Sequence, residues 1–231
     1  MNRVNGLRLA AALGLWLTLG AAVLGLTFVI VHFGLPRAAA EHRAAVGALL
    51  ILEAYTTLLA ALLLAYGGWR GVRGRLRFRF TSFTDIALAI VTWIGALVAG
   101  VLATVLLSPL LGQPRSNATD LLGRSFDPLF VIPIVPTVCL LAPLCEELLF
   151  RGAIFGWLRS RLPVPVAAVL SAALFAGAHL LLPLFPELFV FGLAAAWIYQ
   201  RTGSTLNSFV MHASQNTLAV VLTYLVLLRP G

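Results

Sequence analysis

Apolar residues in this chain come in long unbroken blocks, not in stripes at helical or strand spacing. Residues 83–110, for example, hold a single charged side chain, Asp85. A bilayer core takes roughly 20 apolar residues per helical span. Of the 231 residues, 61% are hydrophobic and 10% charged, whereas about a quarter of a soluble domain is charged. The length accommodates about seven spans with short loops and leaves no room for a separate soluble domain. The expected fold is therefore all-α, a polytopic transmembrane helical bundle. Its spans are read at roughly 8–33, 44–69, 83–110, 129–157, 164–182, 184–200 and 205–228. The first has Arg3 and Arg8 ahead of it and Ala38-Ala39-Ala40 behind, but its apolar run is too long for a signal peptide. Pro183 and Pro186 make the sixth short. Two regions are expected: 1–124, with three spans and a polar loop, and 125–231, where the polar residues inside spans are concentrated.

The net charge of +8 comes from arginine alone; there is no lysine. The arginines sit at the ends of apolar blocks, not on one face or in one tail, which follows the positive-inside bias and argues against a nucleic-acid footprint. Placing the loop with Arg70, Arg73, Arg75, Arg77 and Arg79 in the cytoplasm puts Arg3, Arg8, Arg159, Arg161 and Arg201 there too. The opposite side receives Arg37, Arg43, Arg115, Arg124 and Arg229, which is ten arginines against five. The N-terminus is then cytoplasmic. The alternation Leu76-Arg77-Phe78-Arg79-Phe80 reads as an anchor of this kind, or as an interfacial segment touching anionic lipid. Cys139 and Cys145, six apart in one apolar segment, make a poor disulfide pair and no zinc motif. Asn117-Ala118-Thr119 fits a glycosylation sequon, which matters only in a eukaryotic secretory host.

A charge in the bilayer interior costs at least ~2.5–3.5 kcal/mol on insertion scales. The fourth span nevertheless holds Glu146, Glu147 and Arg151. Glu147 and Arg151, four apart, share a helical face and can pair. Glu146 points about 100° away and has no local partner. A purely structural salt bridge accounts for the first two and leaves Glu146 unexplained. Pro143 either kinks this span or starts its ordered helix. In the fifth span His179 follows Phe175 by four, among Ala172, Ala173, Ala176, Gly177 and Ala178, small residues that allow a neighbouring helix to approach. A lone histidine in an apolar helix is often only a hydrogen-bonded packing residue. In the seventh span His212 and Asn216 share a face and can present N–H donors to one point; the bland reading is interhelical polar glue. At 1.5 Å per residue, His212 lies roughly 12 Å and Glu146 and His179 roughly 20 Å above the cytoplasmic boundary.

No serine or cysteine nucleophile stands out. Cys145 lacks a base, and Ser214 faces away from both His212 and Asn216. Water is the expected nucleophile. A carboxylate and an imidazole can polarise it and return a proton to a leaving amine, while a second histidine and an amide stabilise the oxyanion. That set suits peptide-bond hydrolysis. Two histidines and a glutamate are also a ligand set for catalytic zinc, here without HExxH spacing.

Glu146-Glu147-xxx-Arg151, Phe175-xxx-His179 and His212-xxx-Asn216 together resemble the CPBP family of intramembrane proteases, also called the CAAX-protease and bacteriocin-processing, or Abi, family. Its pattern is EExxxR, FxxxH and HxxxN (or Asp), each on a membrane helix. The resemblance covers about residues 125–228. It implies an all-α membrane fold and endopeptidase activity, with Glu146 and His179 activating water, His212 and Asn216 forming the oxyanion site, and Glu147, Arg151 and Phe175 in support. The family has been described both as metalloendopeptidases and as metal-free glutamate proteases. The missing HExxH favours no cofactor; the alternative is Zn2+ on Glu146, His179 and His212. Expected partners are the lipid bilayer and a membrane-associated peptide or protein substrate, lipidated in the eukaryotic relatives, and no nucleic acid. The arginine-only, alanine- and leucine-rich composition suggests a prokaryotic inner membrane, where relatives are linked to bacteriocin maturation and self-immunity. Two other readings share the same polar cavity: a non-catalytic immunity or scaffold protein, and a proton-coupled transporter, for which no inverted repeat is visible.

Overall fold

The computed structural model describes residues 6–34, 43–113 and 128–227. Arg3, Arg37, Arg115, Arg124, Arg229, the side chain of Arg43, the alanines at 38–40, and the 117–119 sequon with its polar loop lie outside the described residues. Among the described residues there is no strand. Helix α1 (Gly6–Val29) continues into a π-helical turn at Ile30–Gly34 and packs along α2 (Arg43–Tyr66). A short helix, α3 (Gly68–Arg75), follows, then an irregular strap to α4 (Phe83–Leu111), which Ser82 caps by accepting from the Asp85 N–H at 3.1 Å. A long helical run, α5, extends from Pro128 to Leu158. Helices α6 (Val164–Ala178), α7 (Phe185–Thr202) and α8 (Thr205–Leu227) complete the bundle.

Large apolar side chains face outward on the outer helices. Leu106 is 76% and Leu110 81% exposed on α4, as a helix facing acyl chains requires. Among the described residues five helices are long and apolar enough to cross a membrane: Gly6–Val29, Ala45–Tyr66, Phe83–Leu111, Phe130–Leu158 and Leu182–Thr202. Two of the seven expected spans, α6 and α8, are not among these five. Helix α6 has 15 residues, about 22 Å of helix against a core of about 30 Å. It stops at Ala178, not at 182, because Leu180 takes a left-handed φ of 55°. Helix α8 is 23 residues long, carries His212, Ser214, Gln215 and Asn216, and is not among the five. The sixth span, expected to be short, is in the set. A 3-10 turn at Leu182–Leu184 extends it, and Pro183 and Pro186 fall in first turns, where the missing N–H costs nothing.

Helix α5 neither breaks nor begins at Pro143. It changes register instead: α-helical over Pro128–Pro136, π-helical over Thr137–Leu141, α-helical over Ala142–Glu147, π-helical over Leu148–Phe155, and α-helical again over Gly156–Leu158. Glu146 and Glu147 are therefore not at a helix N-terminus, and no dipole end serves them. In the first π segment the Ala142 N–H bonds to the Thr137 carbonyl. The next residue, Pro143, has no N–H. The Val138 carbonyl is thereby left without a helical donor, and Asn216 Nδ2 on α8 supplies one at 2.9 Å.

Helix α6 reaches the centre because α7 lets it. A Cβ on Gly192 would stand 2.9 Å from the Ala172 Cα, so the two backbones are in contact. Ala172 and Ala176 are the buried small residues of that face, whereas Gly177 and Ala178 point outward.

Candidate active site

Four side chains from three helices meet in the middle of the bundle. On α5, Glu147 is 1% and Arg151 0% exposed, and Glu147 Oε2 stands 3.2 Å from Arg151 Nε. Arg151 is the largest fully buried side chain, and its guanidinium lies 4.5 Å from the centre of the Phe175 ring. An aromatic face is a suitable neighbour for a cation that has left water. The other oxygen of Glu147 accepts from His212 Nδ1 at 3.0 Å. One buried carboxylate thus joins the arginine of its own helix to the histidine of α8.

Glu146 sits on the adjacent face. Its Oε2 is 3.8 Å from His212 Nε2 and 3.9 Å from His179 Nε2. Both distances are too long for direct hydrogen bonds and short enough for one small molecule to touch all three groups. His179 Nδ1 donates to the Phe175 carbonyl at 2.8 Å; a carbonyl only accepts, so Nδ1 carries the proton and neutral His179 presents a lone pair at Nε2. The carboxylate of Glu147 imposes the same tautomer on neutral His212. Phe175 packs between the histidines, with ring centres 4.8 Å from His179 and 5.6 Å from His212. Access is graded: His179 is 23%, Glu146 12% and His212 5% exposed.

Asn216 has one amide hydrogen committed to the Val138 carbonyl at 2.9 Å. The expected 8 Å or so of depth mismatch between His212 and Glu146 is absent. Wider π turns rise less per residue and bring Glu146 closer to the basic end. His179, at the end of α6, points back along its helix, as helical side chains do. At the start of α8, Ser204, Thr205, Asn207 and Ser208 are buried.

Four polar contacts were not foreseen. Tyr55 on α2 donates to Glu146 Oε1 at 2.5 Å, which leaves Oε2 to face the histidines. Glu187, in the first turn of α7, accepts from Gln215 Nε2 at 3.1 Å, while Gln215 Oε1 accepts from Trp93 Nε1 at 2.6 Å. Glu53 on α2 accepts from Thr27 at 2.8 Å. Each involves a polar residue inside an apolar block, which was the available signal. Cys139 and Cys145 are free, and Cys145 Sγ is 3.4 Å from the Tyr55 carbonyl. Ser214 bonds back to the Val210 carbonyl at 2.9 Å, away from His212.

Glu146, His179 and His212 offer the donor chemistry of a zinc site, with Glu146 Oε2 3.8 and 3.9 Å from the two Nε2 atoms. Among the described residues no three His, Cys, Asp or Glu side chains stand in a metal-holding group.

An all-α membrane bundle with a carboxylate and two histidines converging at its centre defines a class of membrane-embedded proteins with acid–base capacity. Residues 128–218 match a family model described as type II CAAX prenyl endopeptidase Rce1-like, in agreement with the resemblance carried by the three motifs. The match takes in Glu146, Glu147, Arg151, Phe175, His179, His212 and Asn216 and leaves out Tyr55. Comparison with curated proteins and with solved structures gave no match.

Proposed function

We propose that the chain is an intramembrane endopeptidase that hydrolyses a peptide bond in the tail of a lipidated, membrane-associated peptide or protein, using water activated by Glu146 and His179. The observation that carries this reading is the placement of Glu146 Oε2 at 3.8 and 3.9 Å from the two Nε2 atoms. A water seated there donates to Glu146 and to the His179 lone pair. As its oxygen attacks the carbonyl, its proton passes to Glu146 and then to the departing amine. His212, in its charged form, donates from Nε2 to the oxyanion while Glu147 holds Nδ1. The second amide hydrogen of Asn216 serves the same oxyanion, and its first fixes the π segment next to Glu146. No step uses a metal. The catalytic core is 125–231, with the helices of 1–124 supplying Tyr55 and the lipid-facing shell. The bundle is oriented with its arginine-rich end in the cytoplasm, and α6 and α8 count as membrane helices held inside the others.

The test is cleavage by the chain reconstituted in lipid vesicles. A peptide ending in a prenylated CAAX tail is expected to be cut, and its unprenylated twin to be cut far more slowly. If neither is cut while a membrane partner is still retained, the enzyme reading fails in favour of a binding protein. Activity that a chelator removes and zinc restores replaces the metal-free route.

Tyr55 holds the base from outside the motif-bearing half. A hydrogen bond to a charged group contributes about 1.5–3 kcal/mol, so Tyr55→Phe is expected to lower kcat by roughly tenfold or more. KM stays near wild type, because the phenyl ring keeps the packing. A change in KM alone would assign Tyr55 to substrate binding.

A further inference from the structure

The strap between α3 and α4 plays no part in the chemistry above, yet it is unusually constrained. Arg77 has a φ of 60°, a conformation that bulky L-residues rarely adopt. The turn between α7 and α8 holds it there. The Thr205 N–H donates to the Arg77 carbonyl at 3.1 Å, Thr205 Oγ1 to the Leu76 carbonyl at 3.0 Å, and Ser204 Oγ to the Arg79 carbonyl at 2.5 Å. Held this way, the strap directs two guanidinium groups at one point. Arg77 Nη1 and Arg79 Nη2 lie 3.6 and 3.7 Å from where a Cβ on Gly203 would be. Gly203 itself closes α7 with a φ of 66°.

A third cation comes from the end of α5. Arg159 lies over Tyr199, 5.1 Å from the ring centre, and donates to Gln200 Oε1 at 2.5 Å. Arg77 bonds the Tyr199 hydroxyl, so all three arginines border the same turn. Burial holds Arg159 below the usual guanidinium range, and the like charge of Arg77 adds to the effect. Among the described residues no ion pair includes Arg77, Arg79 or Arg159. Three like charges gathered at a strained backbone, with no acid among them, repel one another. An anion that accepts forked hydrogen bonds offsets that repulsion, and phosphate matches the guanidinium fork. The patch lies beside Phe80 and Phe83, 56% and 83% exposed, aromatic anchors of the kind found at headgroup depth.

We propose that Arg77, Arg79 and Arg159 form a binding site for a phosphate group, the chemistry shared by an anionic phospholipid headgroup and free phosphate. Positive-inside charge in general would not need this geometry, and α3 supplies the control: Arg70 and Arg73 are exposed at the same end of the bundle.

The experiment measures the thermal unfolding midpoint of the full chain in nanodiscs of phosphatidylcholine, with and without phosphatidylglycerol. The anionic lipid is expected to raise the wild-type midpoint by about 5 °C. Arg77→Gln/Arg79→Gln and Arg159→Gln should erase the rise, whereas the charge-matched Arg70→Gln/Arg73→Gln should keep it. Native mass spectrometry on variants that match wild type in pure phosphatidylcholine guards against mere misfolding: retained phosphatidylglycerol should fall in the first two and persist in the third. In neutral detergent, a rise on adding inorganic phosphate with the same arginine dependence identifies free phosphate as the source; a rise with phosphatidylglycerol alone identifies the lipid. Equal loss in both double variants, or no rise in wild type with either anion, overturns the site.

Discussion

Glu146→Gln is expected to lower cleavage of a lipidated peptide by on the order of 10³-fold while leaving the thermal midpoint near wild type. The amide keeps the shape of the side chain and still accepts from Tyr55, whose hydroxyl touches Oε1. What it loses is the ability to take a proton from water. His179→Gln should fall by a similar factor, because its Nε2 faces the same oxygen at 3.9 Å. The double variant should be little worse than either single one, since groups that act on one water fail together. Kinetics of the purified variants in vesicles decide this. Near-wild-type turnover by Glu146→Gln would remove the general base from the mechanism.

The second large effect falls on stability. Removing one partner of a buried ion pair costs about 3–5 kcal/mol, because the other charge stays behind. Arg151→Met leaves Glu147, 1% exposed, without its counter-charge, so a loss of that size is expected in chemical or thermal denaturation. Replacing both, as Glu147→Leu/Arg151→Met, should recover most of the loss, as apolar substitutes for buried pairs do. Activity should not recover with it. His212 Nδ1 would have lost the acceptor it meets at 3.0 Å, and its ring would no longer be fixed. A double variant as unstable as the single one, or one that is fully active, contradicts the dual role of Glu147.

Much of the candidate site could be read from the chain because lipid penalises charge so heavily. Glu146, Glu147, Arg151, His179 and His212 stood out against apolar neighbours, and their spacing named the family that the match over 128–218 bears out. Tyr55 escaped notice because it lies outside those motifs and carries no charge; its neighbours Glu53, Thr56 and Thr57 mark the same polar stretch of α2. The register of α5 was unreadable for a different reason. A wheel drawn at α-helical pitch assumes one hydrogen-bond pattern, while this helix uses two. Counting spans by apolarity works for α1, α2 and α4, which face lipid. It says less about α8, where the polar row with His212 and Asn216 faces the interior of the bundle.

Pro143 and Asn216 are best regarded as a single inherited character. The imino ring strips one carbonyl of its partner, and an amide 78 positions from that carbonyl restores it. Drift that discards the amide strands a bare oxygen in hydrocarbon; drift that discards the ring makes the amide redundant there. Losing the ring first therefore leaves the helix intact and the amide with only its oxyanion to serve, whereas losing the amide first passes through a damaged intermediate.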